Sequence, residues 1–174
     1  MADYVPFGGT AYFTLLGLLA FSRGMDFLST WIATPNLVLE GNPIAKKLGW
    51  KWGILLNLVL CACFALSPLP AIVISTTSIL VAARNFQVAW LMRSLGEELY
   101  RNWHLERLRE SSRPLYLFCL FAQTFLTALV GAALIYFSHD HAVPMAIGLG
   151  VVAYAGAVAL YTLLSVWRLR HLAG

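Results

Sequence analysis

Residues Pro114 to Phe137 read PLYLFCLFAQTFLTALVGAALIYF, a run without one charged side chain. An α-helix rises ~1.5 Å per residue and the hydrocarbon core of a bilayer is ~30 Å thick, so a helix of this length reaches across it. The apolar residues are continuous. A barrel strand would instead show ~10-residue segments of alternating polarity. Working outward, comparable runs recur over about Gly9–Ala33, Trp52–Leu66, Pro70–Leu95 and Pro144–Trp167. Three of these five runs begin with proline, which suits a first helical position because its missing N–H has no partner there anyway.

Composition points the same way. Of 174 residues, 60% are hydrophobic and 11% charged, with a mean hydropathy of +0.74. Soluble domains run at about 45–50% apolar and about 25% charged, so this chain cannot cover a water-facing surface. Disorder needs low hydrophobicity and is excluded as well. The reading is an all-α, polytopic integral membrane bundle, a single transmembrane domain over residues 1–174 with five spans. The lipid bilayer is its first partner. A second copy of the chain or a subunit of a membrane complex is the next. The net charge of +4 is read as loop charge that sets orientation, not as a nucleic-acid surface.

The basic residues orient the spans. Lys46, Lys47 and Lys51 follow the first span; Arg101, Arg107, Arg109 and Arg113 follow the third; Arg168 and Arg170 follow the fifth. The opposite side carries Asp3, the Ser67 turn and His139-Asp140-His141. By the positive-inside rule the N-terminus lies outside and the C-terminus in the cytoplasm. From Arg93 to Arg113 no proline interrupts a helical spacing of Leu95, Leu99, Trp103 and Leu108. The third helix is therefore expected to continue into the cytoplasm over residues 96–112, with Glu97 and Arg101 attracting each other four residues apart.

Ionisable residues inside spans mark functional positions by default. Arg23 and Asp26 lie in the first span and Arg84 in the third. Asp26 falls roughly 24 Å and Arg84 roughly 21 Å from the outer ends of their helices, at similar depth. Asp26 is expected to pair with Arg84, or with Arg23 along its own helix. Ser29 and Thr30 follow Asp26 by one turn. Asn57, Asn85 and Gln123 enter the same layer from other spans. Glu40-Gly41-Asn42-Pro43 closes an apolar loop that is expected to fold back, bringing Glu40 and Asn42 toward Asp26. The candidate binding layer is thus Asp26, Ser29, Thr30, Glu40, Asn42, Asn57, Arg84 and Asn85.

The string Met25-Asp26-Phe27-Leu28-Ser29-Thr30, then Glu40-Gly41-Asn42-Pro43, then Gly53 and Asn57, resembles a pattern in a family of small bacterial and archaeal integral membrane proteins of unknown function. The likeness covers residues 20–60. It implies a helical fold in a prokaryotic inner membrane and a joint role for Asp26, Glu40 and Asn42. It implies no activity. No motif identifies a cofactor or a metal set: Cys61, Cys63 and Cys119 sit inside apolar runs, and the glycines of the last span lack a phosphate-loop context. Three classes remain. The first is a site that binds or transports an ion or small solute. The second is an accessory or scaffold subunit. The third is a membrane-embedded enzyme acting on a lipid head group.

The orientation has a direct check. In a background without Cys61, Cys63 and Cys119, an impermeant thiol reagent applied outside intact cells should label Asp140→Cys and spare Arg107→Cys. Labelling of both from one side overturns the five-span orientation.

Overall fold

The computed structural model describes residues 4–139 and 141–171, with side chains to Trp167; Asp3, Asp140 and the side chains of Arg168 and Arg170 lie outside the described residues. Those residues form six helices: α1 (Thr10–Ala33), α2 (Pro43–Phe64), α3 (Pro68–Leu95), α4 (Glu97–Glu110), α5 (Arg113–Tyr136) and α6 (Ala142–His171). By length and composition α2, α3, α5 and α6 are fit to cross a membrane. α1 is as long as α5, but Arg23 and Asp26 lower its hydropathy.

The helix limits follow from local chemistry. α1 ends at Thr34 because the following Pro35 disfavours helical backbone at the residue before it. Asn42 caps α2: its Oδ1 accepts from the N–H groups of Ile44 and Ala45, and Pro43 takes the first turn. Gly49, at φ 66°, breaks the helix, so a basic first segment with Lys46 and Lys47 precedes the apolar run. The second helix is therefore longer than the expected span. α3 accommodates Pro68 and Pro70 in its first turn.

One expectation is corrected here. α3 does not run on past the end of the apolar stretch. Gly96 takes φ 80° and ψ 155°, closed to a residue with a Cβ, and α4 starts anew behind it. The change of direction matters because it turns Glu97 toward the loop between α1 and α2.

In space the order is α2, α1, α3, α6, α5, with α1–α3, α3–α6 and α5–α6 as the principal contacts. α1 and α3 run parallel. Tyr12, Leu19, Ser22, Ser29 and Ala33 are buried on one, and Ala71, Ser75, Ser78, Ala82 and Ala89 on the other. Steps of three, four and seven residues make these a heptad seam, and the small side chains of α3 bring the two backbones close. The N-terminal segment joins the α2–α3 turn: the Val5 N–H donates to the Leu66 carbonyl and the Tyr12 hydroxyl to that of Ala62.

α6 is wedged between two partners and needs small residues on both sides. A Cβ on Gly148 would stand 2.7 Å from the Gly131 carbonyl of α5, and one on Gly150 would stand 2.9 Å from the Val73 carbonyl of α3. Positions two apart point to nearly opposite sides of a helix, so each glycine serves a different neighbour. Gly156 has open space around it. Gly148→Val should therefore lower the apparent melting temperature in detergent by several degrees, since overpacking costs about 1–3 kcal/mol. Gly156→Ala should leave it unchanged; equal losses for both would refute the close crossing.

Candidate functional site

The centre of the polar layer is Arg23. Its Nη1 donates to Asp26 Oδ2 at 2.7 Å and to Ser78 Oγ at 3.1 Å, and its Nε donates to Asn57 Oδ1 at 2.8 Å. One guanidinium thereby joins α1, α2 and α3. Asp26 sits three residues on, within reach on the same face of α1. Asn57 is aimed by its own backbone: Nδ2 donates to the Gly53 carbonyl at 2.8 Å, which turns Oδ1 to Arg23. Gly53 lets the Phe27 ring lie against α2, with 3.6 Å left for a Cβ, and Arg23 stacks over that ring at 5.7 Å.

A second tier lies one to two turns further along α1. Asn85 Nδ2 donates to Ser29 Oγ and to Thr30 Oγ1, each at 3.3 Å, while Ser29 Oγ donates to the Asp26 carbonyl. Both tiers keep the same register, with sequence separations of 55 and 55–56 between α1 and α3. Asp26, Ser29, Thr30, Asn57 and Asn85 are thus brought together, as expected from depth. Arg23 was noted only as a possible partner for Asp26, and it is the hub.

Other expectations are corrected. Arg84 is not the ion-pair partner of Asp26; Arg23 holds that place at shorter reach. The Arg84 Nη1 is buried and has no hydrogen-bond partner among the described residues. Gln123 is exposed on α5 and stays out of the layer. Asn42 is occupied as the α2 cap, and the Asn42 N–H donates to Glu40 Oε1 at 2.7 Å. Glu40 stays in the loop, near enough for its charge to act on Asp26. Of the two carboxylate oxygens of Asp26, only Oδ2 is engaged by a side chain among the described residues.

Glu97 was missed as a site residue. Its carboxylate is a cradle for the α1–α2 loop. Oε1 accepts from the backbone and side-chain amides of Asn36, at 2.8 and 3.0 Å; Oε2 accepts from Thr34 Oγ1 and the Val38 N–H, at 2.8 and 3.0 Å. Thr34 Oγ1 in turn accepts from the Leu39 N–H. Arg101, the expected partner of Glu97, faces Glu98 instead. A glutamate at a helix start beside Gly96 was the available signal. Its partners are polar groups of a loop 59 to 63 residues earlier, and spacing along one helix cannot reveal them. Around this latch lies an open cleft of about 730 Å³, bordered by Ala33, Asn36, Val38, Arg93 and Glu97.

Among the described residues no group of three His, Cys, Asp or Glu side chains is placed to hold a metal ion. Cys61, Cys63 and Cys119 are free thiols. In the turn after α5, His139 sets Nδ1 2.9 Å from the Phe137 carbonyl.

Burial alone would raise the Glu97 carboxyl, but the donors from Asn36, Thr34 and Val38 outweigh it and hold the group below the ordinary carboxylate range. A carboxyl lowered by folding adds stability above its unfolded value and loses it as pH falls through the folded one. The Asn36 and Val38 amides should therefore be protected from hydrogen exchange at neutral pH and lose protection in acid, below the ordinary carboxylate range. Glu97→Gln should abolish the protection at all pH values, because its amide opposes a donor where the carboxylate accepted one. Slow exchange of both amides in Glu97→Gln would refute the latch.

No protein-family model, curated protein or solved structure matches the chain.

Proposed function

We propose that the chain is a five-span membrane protein, N-terminus outside and C-terminus in the cytoplasm, whose Arg23–Asp26 layer binds a small cation or proton for passage. α1 counts as the fifth crossing in this reading. It lies parallel to α3, in register along its length, so a bilayer that holds α3 also holds α1. Lys46, Lys47, Lys51, Arg93, Arg101 and Arg113 then share one end, the cytoplasmic one. An inner-membrane location and a joint role for Asp26 and Glu40 are part of the same proposal.

The observation that carries the reading is Asp26 itself. An aspartate inside an apolar bundle is costly unless paired or used. Arg23 engages one carboxylate oxygen, and Glu40 adds a second negative charge from the loop. Two carboxylates and a single engaged cation make a place where a proton or small cation lowers the electrostatic cost. Asn57, Ser29 and Thr30 supply neutral oxygens at the same level.

A second reading has an observation of its own. Arg23 reaches three helices at once, as a brace in an accessory subunit would. Variants separate the two. Asp26→Asn leaves Arg23 without a counter-charge, and losing one partner of a buried pair costs about 3–5 kcal/mol in soluble proteins. Joining it with Arg23→Gln should restore much of the loss, because no orphan charge remains. In liposomes carrying a pH-sensitive or Na⁺-sensitive dye, the wild type should pass H⁺ or Na⁺ down an applied gradient. The folded double variant should not. No wild-type flux of either cation, or equal flux in the double variant, overturns the reading in favour of the brace.

A further inference from the structure

α3 has a second working face. Val73, Thr76 and Thr77 meet α6 at Gly150, where the Thr77 hydroxyl donates to the Gly150 carbonyl at 3.0 Å. Arg84 follows Thr77 by two turns, on that same face and away from the seam with α1. Its charge reaches the Tyr116 side chain in the first turns of α5. The guanidinium therefore lies on the side of α3 that meets α6.

Nothing described there answers it. Nη1 is buried and unpartnered among the described residues. The described carboxylates are engaged or remote. Asp26 pairs with Arg23 and Glu97 holds the loop. Glu40 accepts from the Asn42 N–H, and Glu98 and Glu110 pair with Arg101 and Arg107 on α4. Glu106 is exposed on α4. Ser75 also keeps a buried hydroxyl without a partner, but a neutral hydroxyl costs far less than a cation. An arginine cannot escape by losing its proton. An oxyanion ligand relieves the cost, and a guanidinium suits phosphate through charge-assisted, planar hydrogen bonding.

We infer that Arg84 forms a phosphate-binding site on the face of α3 that meets α6. Its place in the fold fits an approach from the basic end. Leu95 ends α3 roughly 16 Å beyond Arg84, and Arg113 opens α5. The phosphate is the head group of a phospholipid in the adjoining leaflet or a free phosphate ion. The site uses a different face of α3 from the Asp26 layer and stands or falls independently of it.

The test uses the full chain in nanodiscs of mixed phosphatidylglycerol and phosphatidylcholine. Native mass spectrometry after release should find phosphatidylglycerol retained on the wild type and reduced about tenfold or more in Arg84→Gln, the scale of one lost charge-assisted bond. Inorganic phosphate titrated onto protein in phosphatidylcholine-only discs, followed by titration calorimetry, distinguishes the sources. A saturable response that Arg84→Gln removes assigns free phosphate; retained lipid without that response assigns the head group. Equal lipid retention in wild type and Arg84→Gln, together with no Arg84-dependent phosphate response, overturns the site. Should Arg84→Gln not accumulate folded, Arg84→Met replaces it under the same criteria.

Discussion

Arg23 keeps its charge under all ordinary conditions, and it sits where three helices meet. Each of its hydrogen bonds then becomes a constraint on another part of the chain. The bond to Asp26 fixes the turn of α1 that faces inward. The bond to Ser78 sets how far α3 has slid along α1. The bond to Asn57 decides which face of α2 turns inward, because Asn57 is itself held by Gly53. α2 has few other contacts with the bundle, so this polar link and the packing of Phe27 on Gly53 carry much of its attachment. The apolar seam between α1 and α3 supplies proximity. A heptad seam of small residues tolerates a slip of one repeat, and a guanidinium with fixed acceptors does not. Register is the best-attested service of a polar group in an apolar interface.

The sequence made some of this legible and hid the rest for physical reasons. Some helix limits are local properties. Prolines mark the starts of α5 and α6 as read, while α2 and α3 begin at Pro43 and Pro68, ahead of the expected Trp52 and Pro70. The depth argument placed Asp26, Ser29, Thr30, Asn57 and Asn85 at one level because the helices are straight enough for ~1.5 Å per residue to hold. Depth says nothing about azimuth. Arg84 has the right height and the wrong side of α3, and Gln123 looks outward from α5. Gly96 is a residue type that can break a helix. That it breaks α3 follows from a positive φ that only the tertiary turn of α4 requires. The Glu97 latch depends on that turn and was hidden with it.

Acids and bases are arranged unequally along the molecule, and the inequality explains why α4 matters. Glu97 answers backbone amides of the α1–α2 loop that no helix or strand would otherwise satisfy. A loop of this kind, between two helices in an apolar setting, must find acceptors for its N–H groups. Asn42 and Glu40 provide two locally, at the start of α2, and α4 provides the others from a distance. Leu37 in this stretch holds a positive φ of 57°, a conformation a leucine leaves unless its neighbours are fixed on both sides.

The loop so fixed is also the segment that presents Glu40 to Asp26. A change at Glu97 therefore acts on the polar layer without touching it. Releasing the loop frees Glu40, whose charge acts on Asp26 beside that of Arg23. The electrostatic balance of the layer is set partly by a carboxylate that the α4 cradle holds in place. In that chain of dependence Gly96 comes first, because its backbone turn aims Glu97. Glu97 then orders Thr34, Asn36 and Val38, in the loop that leads on to Glu40.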